Sequence, residues 1–108
     1  MAWSYDLTDI AHHFRLEDRL LAFWQDRLGD RLLVVPYGAL VDEPTAWTRR
    51  LLAHCDLGDE PGVHDFHRTE RVVATASALQ VRKPINRSGI GVSDPYRKHL
   101  QPFIDAYY

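Results

Sequence analysis

Arg31-Leu32-Leu33-Val34-Val35-Pro36-Tyr37 is the stretch on which the fold class turns. Four consecutive aliphatic residues without polar alternation have the pattern of a strand buried on both faces in a parallel sheet, not that of a half-exposed hairpin strand. The expectation is an α/β fold, mostly helical in this chain, with one buried parallel-type strand. A lone strand is not a sheet, because its backbone N–H and C=O groups need partners. The next candidate, Arg71-Val72-Val73, is short and weak. The sheet partners are therefore expected from outside this sequence.

Upstream of that stretch, Leu7, Ile10, Phe14, Leu21, Trp24 and Leu28 are separated by 3, 4, 7, 3 and 4 residues, which places them on one face of a long helix. Asp6 is positioned to cap its start, Asp9 sits in the first turn, and Gly29 falls where a left-handed residue ends a helix. Leu16, Leu20 and Phe23 make a second stripe, which predicts packing on both sides. Downstream, Pro44 behind Asp42 and Glu43 suits the first turn of a helix running to about Cys55, with Trp47, Leu51 and Cys55 inward. Residues 56–62 read as loop, 62–67 as a further helical turn, and Asp94 to about Ala106 as helix behind an Asp-Pro start.

The 108 residues are 45% hydrophobic and 26% charged, which suits one small domain and excludes a disordered tail. No apolar run is long enough for a membrane span, and the first thirteen residues lack both Lys or Arg and a long apolar core, so neither a span nor a signal peptide is expected. One cysteine, Cys55, allows no internal disulfide and no cysteine-based zinc cage, which points to a reducing, cytoplasmic setting. Its position beside Leu51 and Leu52 predicts a small buried hydrophobe rather than a nucleophile. The net charge of −2 conceals an excess of six acidic side chains in residues 1–67 and of four basic ones in residues 68–108. An anionic partner for the C-terminal third fits this asymmetry as well as a solvated surface does. Nucleic acid is disfavoured by the overall acidity.

Residues 75–91, Thr-Ala-Ser-Ala-Leu-Gln-Val-Arg-Lys-Pro-Ile-Asn-Arg-Ser-Gly-Ile-Gly, hold three cations, two serines and two glycines. A phosphate site uses such residues: Arg as a planar fork, Lys as a mobile point charge, Ser as a hydroxyl donor, and Gly to let backbone amides approach. An exposed basic loop has the same composition. Tyr37, directly after the expected strand, stands at the carboxyl end, where open parallel sheets place ligands, or serves packing alone. His64-Asp65-Phe66-His67 and the adjacent His12-His13 offer too few convergent donors for zinc, and no metal is expected.

The order of these features resembles the C-terminal half of bacterial sulfotransferases, especially those fused to tetratricopeptide repeats and related to tyrosylprotein sulfotransferases. The pieces that carry it are Ser4-Tyr5-Asp6-Leu7 opening a helix with Trp24 near its end, Tyr37-Gly38-Ala39-Leu40-Val41, Leu51-Leu52-Ala53-His54-Cys55, Asp65-Phe66-His67-Arg68-Thr69, the stretch 75–91, and Tyr96-Arg97-Lys98-His99-Leu100. The similarity runs from about Tyr5 to Phe103, and residues 75–85 are its most specific part. It implies that residues 1–108 are a partial sulfotransferase domain of P-loop-like fold, moving a sulfuryl group from 3′-phosphoadenosine 5′-phosphosulfate to an acceptor hydroxyl or amine without a metal. By the same resemblance Ser77 is the catalytic residue that steadies the transferring group, Tyr37 lies against the nucleotide, and residues 78–87 wrap it. Within that loop Gln80, Arg82, Lys83, Asn86 and Arg87 have polar reach, while Ala78, Leu79 and Val81 contribute backbone and shape.

Sulfuryl transfer asks a protein for alignment and for neutralisation of growing negative charge, so donors and cations suffice for this half. The family's glycine-rich phosphosulfate loop, its base, and the Arg and Ser pair for the 3′-phosphate are missing from the chain. Gly38-Ala39 stands where the family has two acids, and Val92-Ser93 where it has a basic residue and Trp. The expectation is a fragment or remnant that binds the nucleotide weakly or not at all and does not turn over alone, completed by the N-terminal half or another chain. The alternative is a non-catalytic interaction module, for which Trp24→Ala weakens partner binding and changes at Arg82 and Lys83 do not.

Overall fold

The computed structural model describes residues 2–108, which divide into two compact units, 2–32 with 91–108, and 33–90. In the first unit, α1 (Leu7–Leu28) begins where Asp6, in extended backbone, accepts from the N–H groups of Thr8 (2.8 Å) and Asp9 (3.1 Å). These bonds satisfy two of the donors that a helix start leaves open. The helix ends at Gly29, whose φ of +49° is a conformation that side-chained residues resist. Before it, a 3₁₀ turn (Ala2–Tyr5) brings Trp3 flat against His13, with ring centroids 3.8 Å apart, and His13 Nε2 lies 2.9 Å from the Glu17 carboxylate.

A 3₁₀ stretch (Asp94–Leu100) leads into the last helix of the chain (Gln101–Tyr107), which packs on α1. Phe103 meets Phe14 edge-on at 5.7 Å and stacks on Tyr107, and the Tyr107 hydroxyl donates to Asp18. That bond to a carboxylate raises the Tyr107 pKa above its ordinary 10.0. Ala11 is completely buried, yet Leu16, Leu20 and Phe23 are 58%, 56% and 47% exposed. The expected packing of that second stripe is thus not found among the described residues.

The second unit holds α2 (Tyr37–Asp42), α3 (Pro44–His54) and α4 (Pro61–His64), followed by a 3₁₀ turn (Phe66–Arg68) and by turns and bends. Pro44 opens α3, and Arg50 lies over the Trp47 ring at 4.1 Å. Val41 is the buried apolar residue of this unit among those described. The core is thin: among the described residues, Ala11 and Val41 are the buried hydrophobic ones.

The α/β expectation is overturned, since no strand occurs among the described residues. Residues 32–36 are irregular, and the Leu32 N–H closes a turn onto the Gly29 carbonyl rather than entering a ladder. Aliphatic character favours extended backbone but does not supply a neighbouring strand, and without one the run is not a sheet. Arg71–Val73 is likewise unladdered, because the Arg82 guanidinium takes the carbonyls of Thr69 and Arg71. Tyr37 therefore opens a helix behind Pro36 instead of ending a strand. Cys55 is exposed, not buried, because α3 ends one residue before it and the chain leaves the helix there.

Candidate functional site

Within the second unit a groove of about 570 Å³ runs between α2 and the turns of residues 80–89. Tyr37, Leu40 and Val41 come from α2, Phe66 from the 3₁₀ turn, and the opposite side carries Gln80, Val81, Lys83, Asn86, Ser88 and Gly89. The groove joins an apolar floor and an aromatic wall to a rim of amides, a hydroxyl and an ammonium. Small-molecule sites combine these same ingredients in this volume range.

The loop side is shaped by local hydrogen bonds rather than by a regular element. The Ser77 carbonyl accepts from Gln80 N (2.9 Å) and Val81 N (3.2 Å), and the Gln80 carbonyl accepts from Lys83 N (3.0 Å), so successive turns present Gln80 and Lys83. Asn86 donates through Nδ2 to the Pro84 carbonyl and accepts from Ser88 N through Oδ1, both at 3.0 Å. This is an Asx turn, the reason Asn suits such a position. A Cβ on Gly89 would sit 2.7 Å from the Tyr37 hydroxyl oxygen, so only glycine lets the loop pass there without displacing that ring.

Of the residues named from the sequence, Tyr37, Gln80, Val81, Lys83 and Asn86 gather around the groove. Ser77, Ala78, Leu79, Arg82 and Arg87 are not among its lining. Ser77 acts there through its carbonyl, Ala78 closes a turn on Thr75, and Leu79 is 82% exposed. Arg82 clamps residues 69–71, and Arg87 pairs with Asp42, the last residue of α2. Asp42 figured in the sequence only as part of the lead into the helix at Pro44, not as a site residue. Gly89 and Phe66 belonged to stretches already singled out, but their contact with the groove depends on chain reversals that carry no periodic signal.

A second polar cluster ties α3 to α4. Arg49 Nε donates to Asp59 Oδ2 at 2.8 Å, and His64 Nε2 lies 2.6 Å from Oδ1. These bonds, Arg49's first and His64's second, hold the Asp59 carboxyl below its ordinary 3.8. A group depressed in this way stabilises the fold above its unfolded value, and that contribution is lost as pH falls through the folded value. Asp59→Asn is expected to lower the thermal midpoint at pH 7 slightly, as befits an exposed pair, and to have a smaller effect near pH 3. Circular dichroism melts at the two pH values check this; an equal loss at both contradicts it.

Among the described residues no group of three or more His, Cys, Asp or Glu side chains could hold a metal ion, and no helix is long and apolar enough to cross a membrane. A family model described as "Sulfotransferase family" matches residues 1–61, which include α1 to α3 and Tyr37 but not the 80–89 side of the groove. A protein of Aquifex aeolicus (strain VF5), described as an uncharacterized protein, is 33% identical over 105 residues. The match covers 97% of this chain and 14% of that relative, so the chain spans about one seventh of its length. No solved structure matches the chain.

Proposed function

The chain belongs to the sulfotransferase family, and on that premise we propose that its second unit supplies the nucleotide side of a sulfuryl-transfer site. The observation that carries this reading is the groove lined by Tyr37, Gln80, Lys83 and Asn86 together with the apolar Leu40, Val41 and Phe66. The donor is 3′-phosphoadenosine 5′-phosphosulfate, whose transferable sulfuryl group is the chemistry it brings. The aromatic and apolar lining suits its base, and the ammonium and amides of the rim suit its phosphates. In the reaction the bond between sulfur and the phosphate oxygen breaks while sulfur bonds to an acceptor hydroxyl or amine. The acceptor proton leaves to a base contributed from outside this segment.

Lys83 neutralises charge on the departing phosphate, Gln80 and Asn86 orient the nucleotide, and Tyr37 fixes the plane of the base. Arg82 holds the loop in shape. Ser77, carried over from the resemblance as the residue that steadies the transferring sulfuryl group, reaches it only once the remaining part of the site is assembled. Placement in the tetratricopeptide-associated, tyrosylprotein-related branch belongs to the same proposal, supported by residues 75–85, as does a cytoplasmic setting, supported by the single cysteine.

The test is calorimetry with 3′-phosphoadenosine 5′-phosphate and a transfer assay with labelled donor. Weak, saturable binding without turnover is expected of the 108-residue chain; sulfuryl transfer by it alone overturns the fragment reading. A second reading, a docking module, is favoured by the exposed Leu16, Leu20 and Phe23 of α1. It predicts that Trp24→Ala weakens association with a partner while leaving nucleotide binding intact.

A further inference from the structure

The pairing of Arg87 with Asp42 joins the two sides of the groove. Asp42 follows Val41 at the end of α2, and Arg87 lies between Asn86 and Ser88; all three of those neighbours line the groove. The Arg87 and Asp42 side chains are 63% and 50% exposed, so the pair is open to exchange with a ligand from solvent. Asp42 is also an anion in the last turn of a helix, where the backbone carbonyls disfavour negative charge, and α2 has no basic residue in that turn to offset it. Arg87 supplies that offset from the loop. A guanidinium forms its strongest pairs with carboxylates and phosphates alike, so a phosphorylated ligand in the groove competes with Asp42 for one cation.

We infer that Asp42 is an internal competitor for the ligand's phosphate, forming with Arg87 a charge-exchange latch that sets the affinity of the groove for anionic nucleotides. The inference rests on the nucleotide reading above and adds to it a residue that tunes selectivity without touching the base. When a phosphate arrives, Arg87 leaves Asp42, and the cost of stranding that carboxylate at the helix end is subtracted from binding. A neutral nucleoside, which offers nothing to Arg87, leaves the latch closed.

The experiment compares the wild-type chain, Asp42→Asn, Arg87→Ala and the double variant, each titrated calorimetrically with 3′-phosphoadenosine 5′-phosphate and with adenosine. Removing the competitor is expected to tighten the phosphorylated ligand about threefold, the scale of an exposed ion pair, and to leave adenosine unchanged. In the Arg87→Ala background Asp42→Asn is expected to change neither. Wild-type binding with no gain in Asp42→Asn, or an equal gain with Arg87 removed, overturns the latch and leaves the nucleotide reading standing. No binding of the phosphorylated ligand by wild type or Asp42→Asn overturns both. Unchanged melting temperatures in Asp42→Asn keep a folding defect from imitating the result.

Discussion

Ala11→Leu is expected to lower the free energy of unfolding by about 1–3 kcal/mol, the usual cost of forcing extra methylene groups into a filled position. Ala11 is 0% exposed, the most enclosed residue among those described, on a helix whose other faces are largely open. The added branch has no space there unless α1 moves relative to the elements packed on it. Leu20→Ala is the control: its side chain is 56% exposed, so its removal is expected to cost less than about 0.5 kcal/mol. Urea unfolding followed by circular dichroism checks the pair. Equal midpoints for the two variants contradict the placement of Ala11.

The second large effect is expected at Lys83. Among the described residues that line the groove, it alone carries a full charge. A charge-assisted hydrogen bond contributes about 1.5–3 kcal/mol, so Lys83→Ala is expected to weaken 3′-phosphoadenosine 5′-phosphate about tenfold at least, with the loss shrinking as salt rises. Arg82→Ala has a different profile, because that guanidinium is bonded to the carbonyls of Thr69 and Arg71. It is expected to lower stability first and affinity only through the loosened loop. Calorimetry at two salt concentrations, paired with melts, separates the two roles. A Lys83→Ala chain that binds as well as the wild type contradicts the assignment.

The long helix was legible because its signals are local: Asp6 caps, Gly29 terminates, and the apolar spacing holds between them. Pro44 announced α3 for the same reason, as did the Asp-Pro start of the final helical segment. The supposed strand at residues 31–35 misled because aliphatic runs report burial and extended preference, while strand formation requires a partner that the described chain does not provide. Its continuation into Tyr37 obscured α2, a six-residue helix too short for a periodic signature.

The site was half legible. Residue types marked the 75–91 stretch as anion-seeking, but composition does not say which cation faces the groove. Lys83 does, whereas Arg82 and Arg87 are engaged with carbonyls and with Asp42. Those assignments follow from the turns set by Ser77 and Asn86, which sequence spacing does not encode. The Asp59 cluster escaped notice because Arg49 and His64 belong to different helices and meet only through the loop between them.

The most direct measurement is an isotope-edited NMR titration of the 108-residue chain with 3′-phosphoadenosine 5′-phosphate. Saturable shifts at Tyr37, Gln80, Lys83, Asn86 and Gly89, with magnetisation transfer from the adenine protons to the Tyr37 ring, are the predicted result. Shifts confined to Arg97 and Lys98, or none at millimolar nucleotide, contradict it.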